Sequence, residues 1–405
     1  MEEQPQARTI IETLHSAGFI AYYAGGWVRD FLLQHPSDDI DIATNAPPNT
    51  LLSLFPKTIP VGIAFGIVIV VLEGKEFEVA TFRKDLDYQD GRHPSHVEFT
   101  SAIEDAKRRD FTINGMFYDP FEKKVLDFVE GELDLQKKII RAIGSPKKRF
   151  EEDRLRMIRA VRFACRFNFT IEEQTKQAII EEAPFLFPAV SIERVFQEFS
   201  KMSENNFGKS LLLLHQFRLL PQIFPVLQSL SIEEIQKRTS FIPYFPKNTP
   251  VILKLLELFP NISSEEIETL CRYLKVPNKD LDLCLFCING KNLLSKESSL
   301  YELAYFYASP YGSMCLEIFS VHLQDKKAFE EQQKKNRILL QPYIEKIQKK
   351  IPIIESKDLI PLGIPPGKLL GLLLKEGEKI AINQLLVHKE EILLELQKNP
   401  LWPKK

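Results

Sequence analysis

Residues 22–44 read YYAGGWVRDFLLQHPSDDIDIAT, and the organisation of the whole chain follows from them. Tyr22–Ala24 closes a short strand-like run that begins near Ile20. Gly25-Gly26 then turns the chain into a helical segment, Trp27–Leu33. A Pro-containing loop leads to a second strand, Asp39–Ala43. Residues two apart on a strand face the same side. Asp39 and Asp41 are therefore expected to point together, with Ile40 and Ile42 in the core. Two adjacent carboxylates repel unless a positive charge sits between them. A divalent cation fills that role, and Mg²⁺ is usually held by one or two carboxylates plus substrate phosphates. The glycines can present backbone N–H groups to an anion at the helix N-terminus. Arg29, in the first helical turn, reaches towards the same anion. Taken singly, a D-x-D is often a solvated strand end and a Gly-Gly a turn. Within one unit they read as a site for a nucleoside triphosphate with Mg²⁺.

Downstream, Gly66–Leu72 and Phe77–Phe82 are strand runs joined by the turn Glu73-Gly74-Lys75. Glu78 shares a face with Glu76 and Ala80. It is either a third acid beside Asp39 and Asp41 or an ordinary exposed strand residue. Residues 84–98, KDLDYQDGRHPSHVE, are polar and read as a loop, with Asp85, Asp87, Asp90 and Arg92 as its charged members. A short helix, Ile103–Arg109, precedes RRDFTING (108–115). Val125–Phe128 is the last strand expected.

From about residue 133 the pattern turns helical. Residues 137–166 hold eleven Lys/Arg against three acids, although the chain as a whole carries a net charge of −2. Such local asymmetry is the footprint of a phosphate-rich partner, or of a solvated charged helix. In Arg149–Phe167, read as one helix, Arg156, Arg159, Arg162 and Arg166 share an arc of about 120°. Met157, Ile158, Val161, Ala164 and Cys165 lie opposite. Asp153 and Arg156, three apart, leave the edge of the arginine face together. Further helical segments run to the C-terminus. One of them, Gln324–Lys350, is basic in two places and is expected to break or kink near Pro342.

The 405 residues, 27% charged and 44% hydrophobic, suit a multidomain globular protein. No apolar run reaches the length of a membrane span, so no membrane partner is expected. MEEQPQARTIIETL lacks the layout of a signal peptide, which suggests a cytoplasmic location. Five cysteines, an odd number in a large chain, do not suggest a disulfide framework. Cys284-x-x-Cys287 has no second C-x-x-C or histidine pair to complete a zinc site. Nothing in the sequence specifies an oligomeric state.

These motifs together resemble the class II CCA-adding tRNA nucleotidyltransferase and bacterial poly(A) polymerase family, within the DNA polymerase beta-like superfamily. GGWVRD with DDIDIAT is similar to its metal and triphosphate motif. RRDFTINGM is similar to its RRDFTINA motif, with Gly115 where Ala is usual. DGRHPSHVEF resembles its flexible loop, and RFEEDRLRMIRAVRF its EDxxR motif and arginine ladder. SIERVFQEF and KDLIPLGIPPG are similar to weaker motifs. The resemblance implies an α+β head with a mixed five-stranded sheet and helices, followed by an all-α neck, body and tail. The expected boundaries are 1–137, 138–202, 203–290 and 291–405. Asp39 and Asp41 would hold Mg²⁺; Glu78 is a candidate third catalytic acid by its strand position alone. Gly26, Arg29 and Arg109 would hold the triphosphate. Asp153 and Arg156 would read the base edge of CTP or ATP, with Arg159 and Arg162 nearby. Asp accepts and Arg donates, which matches the mixed edges of cytosine and adenine. The implied activity is template-independent addition of CCA to the tRNA 3′ end, with poly(A), CC-only or A-only addition as alternatives. The basic tail helices would hold the RNA backbone.

Overall fold

A computed structural model describes residues 4–35, 37, 39–88 and 94–403, and the chain divides into two compact units, Met1–Ser240 and Phe241–Lys405. The first unit opens with helix α1 (Pro5–Ser16) and strand β1 (Ala21–Ala24). Alternation on β1 sends Tyr23 and Tyr22 to opposite faces. Tyr23 packs tilted against Trp27, 4.7 Å between ring centroids, on helix α2 (Gly26–Leu32). Tyr22 lies on the other side, against Phe82 and Phe117. Trp27 and Phe31 of α2 both reach Tyr118, so an aromatic cluster fixes the short helix to the sheet.

The sheet has seven strands. In chain order they are β1, β2 (Asp41–Thr44), β3 (Thr58–Ile59), β4 (Ile67–Leu72), β5 (Lys75–Thr81), β8 (Phe117–Asp119) and β9 (Lys124–Leu126). Their spatial order is β3-β4-β5-β2-β1-β8-β9. Only β2 and β5 pair in parallel, with helix α3 (Pro48–Leu54), β3 and β4 between them in sequence. This is the mixed-sheet head expected. The two strands beyond the expected five are β3 and β8, whose two and three residues are too short to display a period.

Three local expectations change. Strand β2 starts at Asp41, opposite Ala24, and Asp39 lies just before it and is exposed. The cause is that β1 ends where Gly25 turns away, leaving nothing for residue 39 to pair with. Residues 84–98 are not simply a loop: β6 (Arg83–Tyr88) and β7 (Pro94–Phe99) form an antiparallel hairpin, with Asp85 opposite Val97. Asp90, Arg92 and the side chain of Asp87 lie outside the described residues. Asp85 turns to Arg83 and Arg108. Third, Arg149–Phe167 is two helices, α6 (Pro146–Glu152) and α7 (Leu155–Phe167). Asp153 between them is extended (φ −148°, ψ 103°), and its Oδ1 accepts from the Leu155 N–H at 3.1 Å. That local side-chain bond keeps Asp153 out of the helical conformation and separates α6 from α7.

Helix α4 (Ala102–Lys107) precedes the RRDFTING segment, and helix α5 (Gly131–Lys137) follows β9. Two-residue strands β10 (Ile139–Ile140) and β11 (Thr170–Ile171) pair in parallel and bracket α6 and α7. Met157, Ile158, Val161 and Ala164 of α7 are buried. Helices α8 (Glu173–Glu182), α9 (Ile192–Ser203), α10 (Phe207–Gln216), α11 (Leu220–Ile223) and α12 (Ile232–Thr239) complete the unit, with α9 and α10 both packed on α7.

The second unit is helical: α13 (Val251–Leu256), α14 (Ser264–Tyr273), α15 (Asn278–Leu294), α16 (Leu300–Ala308), α17 (Gly312–Ser320), α18 (Lys326–Gln348), α19 (Ser356–Leu359), α20 (Lys368–Asn383) and α21 (Lys389–Leu396). Its core joins Ala304, Phe306, Leu340, Tyr343, Ile344, Leu373 and Ile382. Pro342 does not break α18, which is continuous over 23 residues. Burial of Leu340, Tyr343 and Ile344 holds that turn. Pro342 and Ile338, whose carbonyl loses its partner, both face water. Among the described residues no helix is long and apolar enough to cross a membrane.

Candidate functional site

One cavity of about 980 Å³ lies in the first unit, between the open face of the sheet and helix α7. Gly26, Arg29, Asp39, Asp41, Glu78, Arg109, Asp153, Arg156, Arg159 and Arg162 all line it. Every site residue expected from the sequence is therefore on one surface. The lining also includes Arg83, Arg108, Asp110, Asn114, Arg166, Arg194 and Lys201. Ten Lys/Arg face six carboxylates there, so the cavity suits a polyanion. Each of the ten is anchored by an ion pair, several of them to carboxylates set behind the wall, such as Asp30, Asp105, Glu152 and Glu198.

The acids occupy the sheet floor. Burial, then the charges of Glu78 and Asp39, push the Asp41 carboxyl up to about 7, with Arg109 opposing them. Glu78 opens to solvent from β5, yet desolvation and the charge of Asp39 raise its carboxyl against the pull of Arg83. Two carboxyls raised in this way, with the charge of Asp39 beside both, make a set that a cation would relieve. Among the described residues no three His, Cys, Asp or Glu side chains already close around one point. The donors fit a cation that takes one or two carboxylates and completes its shell with substrate oxygens.

The glycine turn differs in detail from the expectation. Gly25 has φ +63°, and a Cβ there would lie 2.9 Å from Arg109 Nη1. Glycine is thus needed both for the backbone and for the approach of the arginine. Its N–H already donates to the Met116 carbonyl at 3.3 Å, so the two glycine N–H groups are not both bare. Arg109 is held by Asp105 and lies over the Phe117 ring. Arg29 is only 3% exposed. Its Nε donates to Asp30 and its Nη1 to Asn114 Oδ1 at 2.5 Å, beneath the rings of Phe163 and Phe167. Burial pushes its pKa down to about 10, with Asp30 opposing. Arg29 braces the wall as much as it faces the cavity.

The opposite wall is α7. Asp153 and Arg156 do not pair with each other. Arg194 of α9 grips both oxygens of Asp153, at 3.1 and 2.8 Å. Arg156 donates to Glu152 and to the carbonyls of Arg149 and Arg108. Arg159 donates twice to Asp110 Oδ2, at 2.9 and 2.6 Å, and Arg162 donates to Glu198. Asp110 is buried, which by itself would raise its carboxyl. Arg159, Asn114 and Arg156 instead hold it well below the usual carboxylate range. Hydrogen bonds thus run Arg166–Asp30–Arg29–Asn114–Asp110–Arg159, joining α2, the RRDFTING segment and α7.

Asp110, Asn114, Arg194 and Glu198 were not singled out from the sequence. The first two lie inside the quoted RRDFTING motif, and the last two inside SIERVFQEF, so the motifs were the available signal. Arg194→Ala is expected to lower stability by about 1–3 kcal/mol, since the half-buried Asp153 carboxylate loses a two-point partner. Arg194→Lys should restore only part, because an ammonium cannot grip both oxygens in that way. Thermal unfolding of the two variants checks this.

Residues 21–141 match the "Poly A polymerase head domain", and residues 168–230 match the "Probable RNA and SrmB- binding site of polymerase A". The CCA-adding enzyme of Lactococcus lactis subsp. cremoris (strain MG1363) is 34% identical, covering 98% of this chain and 97% of its own. That of Enterococcus faecalis (strain ATCC 700802 / V583) is also 34% identical, covering 98% and 96%. The crystal structure of the Bacillus stearothermophilus CCA-adding enzyme in complex with CTP superposes with a TM-score of 0.75 at 29% identity, covering 98% of both chains.

Proposed function

The chain belongs to the CCA-adding enzyme and poly(A) polymerase family, and from that membership we propose that it adds CCA to the 3′ end of tRNA, using CTP and ATP and releasing pyrophosphate. The observation that carries this reading is the single cavity that sets the Asp39/Asp41 floor opposite the Asp153/Arg156 wall.

The RNA 3′-hydroxyl attacks the α-phosphorus, the bond to the β-phosphate oxygen breaks, and pyrophosphate leaves. Arg109, held by Asp105 beside the glycine turn, neutralises the triphosphate, with Gly26 next to it and Arg29 bracing from behind. Asp39 and Asp41 would hold Mg²⁺. When bound, the ion supplies charge neutralisation at the reacting oxygens. Glu78, with its raised carboxyl, would accept the proton of the attacking hydroxyl. Asp153 and Arg156 present acceptor and donor atoms to the base edge, and Arg159 and Arg162 stiffen the helix behind them. Most of the catalysis is positioning and electrostatic complementarity.

The division into head (1–137), neck (138–202), body (203–290) and tail (291–405), the last holding the tRNA backbone, belongs to the same proposal. So does a cytoplasmic location. The test is incubation of the purified protein with tRNA ending at the discriminator base, with CTP and ATP supplied singly and together. The expected products are two added nucleotides with CTP alone and three with both. Long A tails on unrelated RNA would indicate poly(A) polymerase, and arrest after CC or addition of A alone would indicate the partial enzymes.

A further inference from the structure

The open face of the sheet changes character at Glu78. On its cross-strand side Glu78 faces Ile69, and Ala80 faces Ile67, which itself lines the cavity. Just before β4 the chain makes a 3-10 turn, Ile63–Phe65, between Gly62 and Gly66, both at positive φ (+83° and +77°). The turn is firmly tied. Ile67 N–H donates to the Gly62 carbonyl, Thr81 N–H donates to the Gly66 carbonyl, and Arg83 of the cavity wall donates to the Phe65 carbonyl. The Phe99 ring lies so close over Gly66 that a Cβ there would sit 3.0 Å from Phe99 Cε1. Despite this order, Phe99 is 47% exposed, Val61 56% and Ile63 36%. A fixed apolar rim thus stands at the mouth of a strongly charged cavity, joined to it through Ile67 and Arg83.

We propose that this rim, with Phe99 as its platform, is where the 3′-terminal base of the RNA substrate stacks. The inference rests on the transferase reading above. In-line displacement requires the attacking oxygen to approach the α-phosphorus from the side opposite the leaving pyrophosphate. On that reading the arginine-bearing wall of α7 takes the incoming nucleotide, and Glu78 of the acidic floor adjoins β4, the strand that runs up to the rim. The Glu78 side is the one left for the entering nucleoside. Its surface also suits the task. Every base has a π face, so stacking on an aromatic ring tolerates any base. An enzyme that extends its own product must accept a different terminal nucleotide at each step, and hydrogen-bond readout there would block it.

The direct probe is an RNA hairpin carrying 2-aminopurine as its 3′-terminal base. Binding to the wild-type protein is expected to quench its fluorescence, and Phe99→Ala should abolish the quench while Phe99→Trp keeps it. In steady-state assays Phe99→Ala and Ile63→Ser should each raise KM for RNA about tenfold or more, leaving KM for CTP and the thermal unfolding midpoint unchanged. Wild-type quench and RNA KM in both variants, or a CTP KM that rises as much as that for RNA, would overturn the assignment. A wild-type protein that quenches the probe but extends no RNA would overturn the transferase reading and keep the stacking site.

Discussion

Replacing Asp41 with alanine is expected to lower the single-turnover rate of nucleotide addition about a thousandfold or more. Asp41 lies at the first position of β2, on the cavity floor, with Asp39 just before it and Glu78 across on β5. If Asp41 is one of two cation ligands, as proposed, its loss removes several kcal/mol of transition-state stabilisation, and about 4 kcal/mol corresponds to a thousandfold. Stability should move the other way. Burial and the neighbouring acids push the Asp41 carboxyl up to about 7, so above that pH its charge opposes folding in the cation-free protein. Asp41→Ala should therefore unfold at the wild-type temperature or higher at pH 8 without added metal. Asp39→Ala is expected to lose activity in the same direction. Near-normal single-turnover rates for both variants would remove the metal assignment.

Asp110→Ala is expected to destabilise the protein by about 3 kcal/mol and to depress activity with every nucleotide together. Its carboxylate takes two hydrogen bonds from Arg159, one from the Asn114 amide and one from the Phe111 N–H. Deletion strands all three partners. It also loosens Asn114, which receives Arg29 on its other side. The pH dependence has a definite sign. The folded pKa of Asp110 is depressed, so its contribution is fully present above the pKa of an unfolded carboxylate. It is lost as pH falls through the folded value. The gap in unfolding free energy between wild type and Asp110→Ala should thus be constant at neutral pH and shrink in acid. A gap that persists unchanged through acid would mean that Asp110 acts through packing and not through charge.

The central turn and its acids were legible because everything they need is local. Gly25-Gly26, the α2 helix and the D-x-D lie within a few residues of one another, and their gathering on one cavity follows from spacing. The partners of the α7 arginines were not legible in that way. Arg159 and Asp110 are 49 residues apart, Arg162 and Glu198 36, and Asp153 and Arg194 41. Such pairs have no period: helical spacing put Asp153 beside Arg156 at the cavity edge but gave no sign of Arg194, which holds its carboxylate. The β6–β7 hairpin was missed for a different reason. A polar two-stranded ribbon lacks the apolar alternation by which a half-buried strand is recognised. Pro342 marked a break that burial of its neighbours overrides, a case where tertiary packing outweighs a local preference.

The central claim is that side chains of this chain, and no nucleic-acid template, choose the nucleotide. It is tested most directly by measuring kcat/KM for CTP, ATP, UTP and GTP on tRNA substrates in wild type, Asp153→Ala and Arg156→Ala. A lost hydrogen-bonded match on a base edge is worth about 1–3 kcal/mol, which is roughly ten- to 150-fold. Preference for CTP and ATP over UTP and GTP is expected to fall by that order in both variants, while affinity for the shared triphosphate moiety changes little. An equal fall for all four nucleotides, with discrimination intact, would contradict it and make Asp153 and Arg156 parts of the wall only.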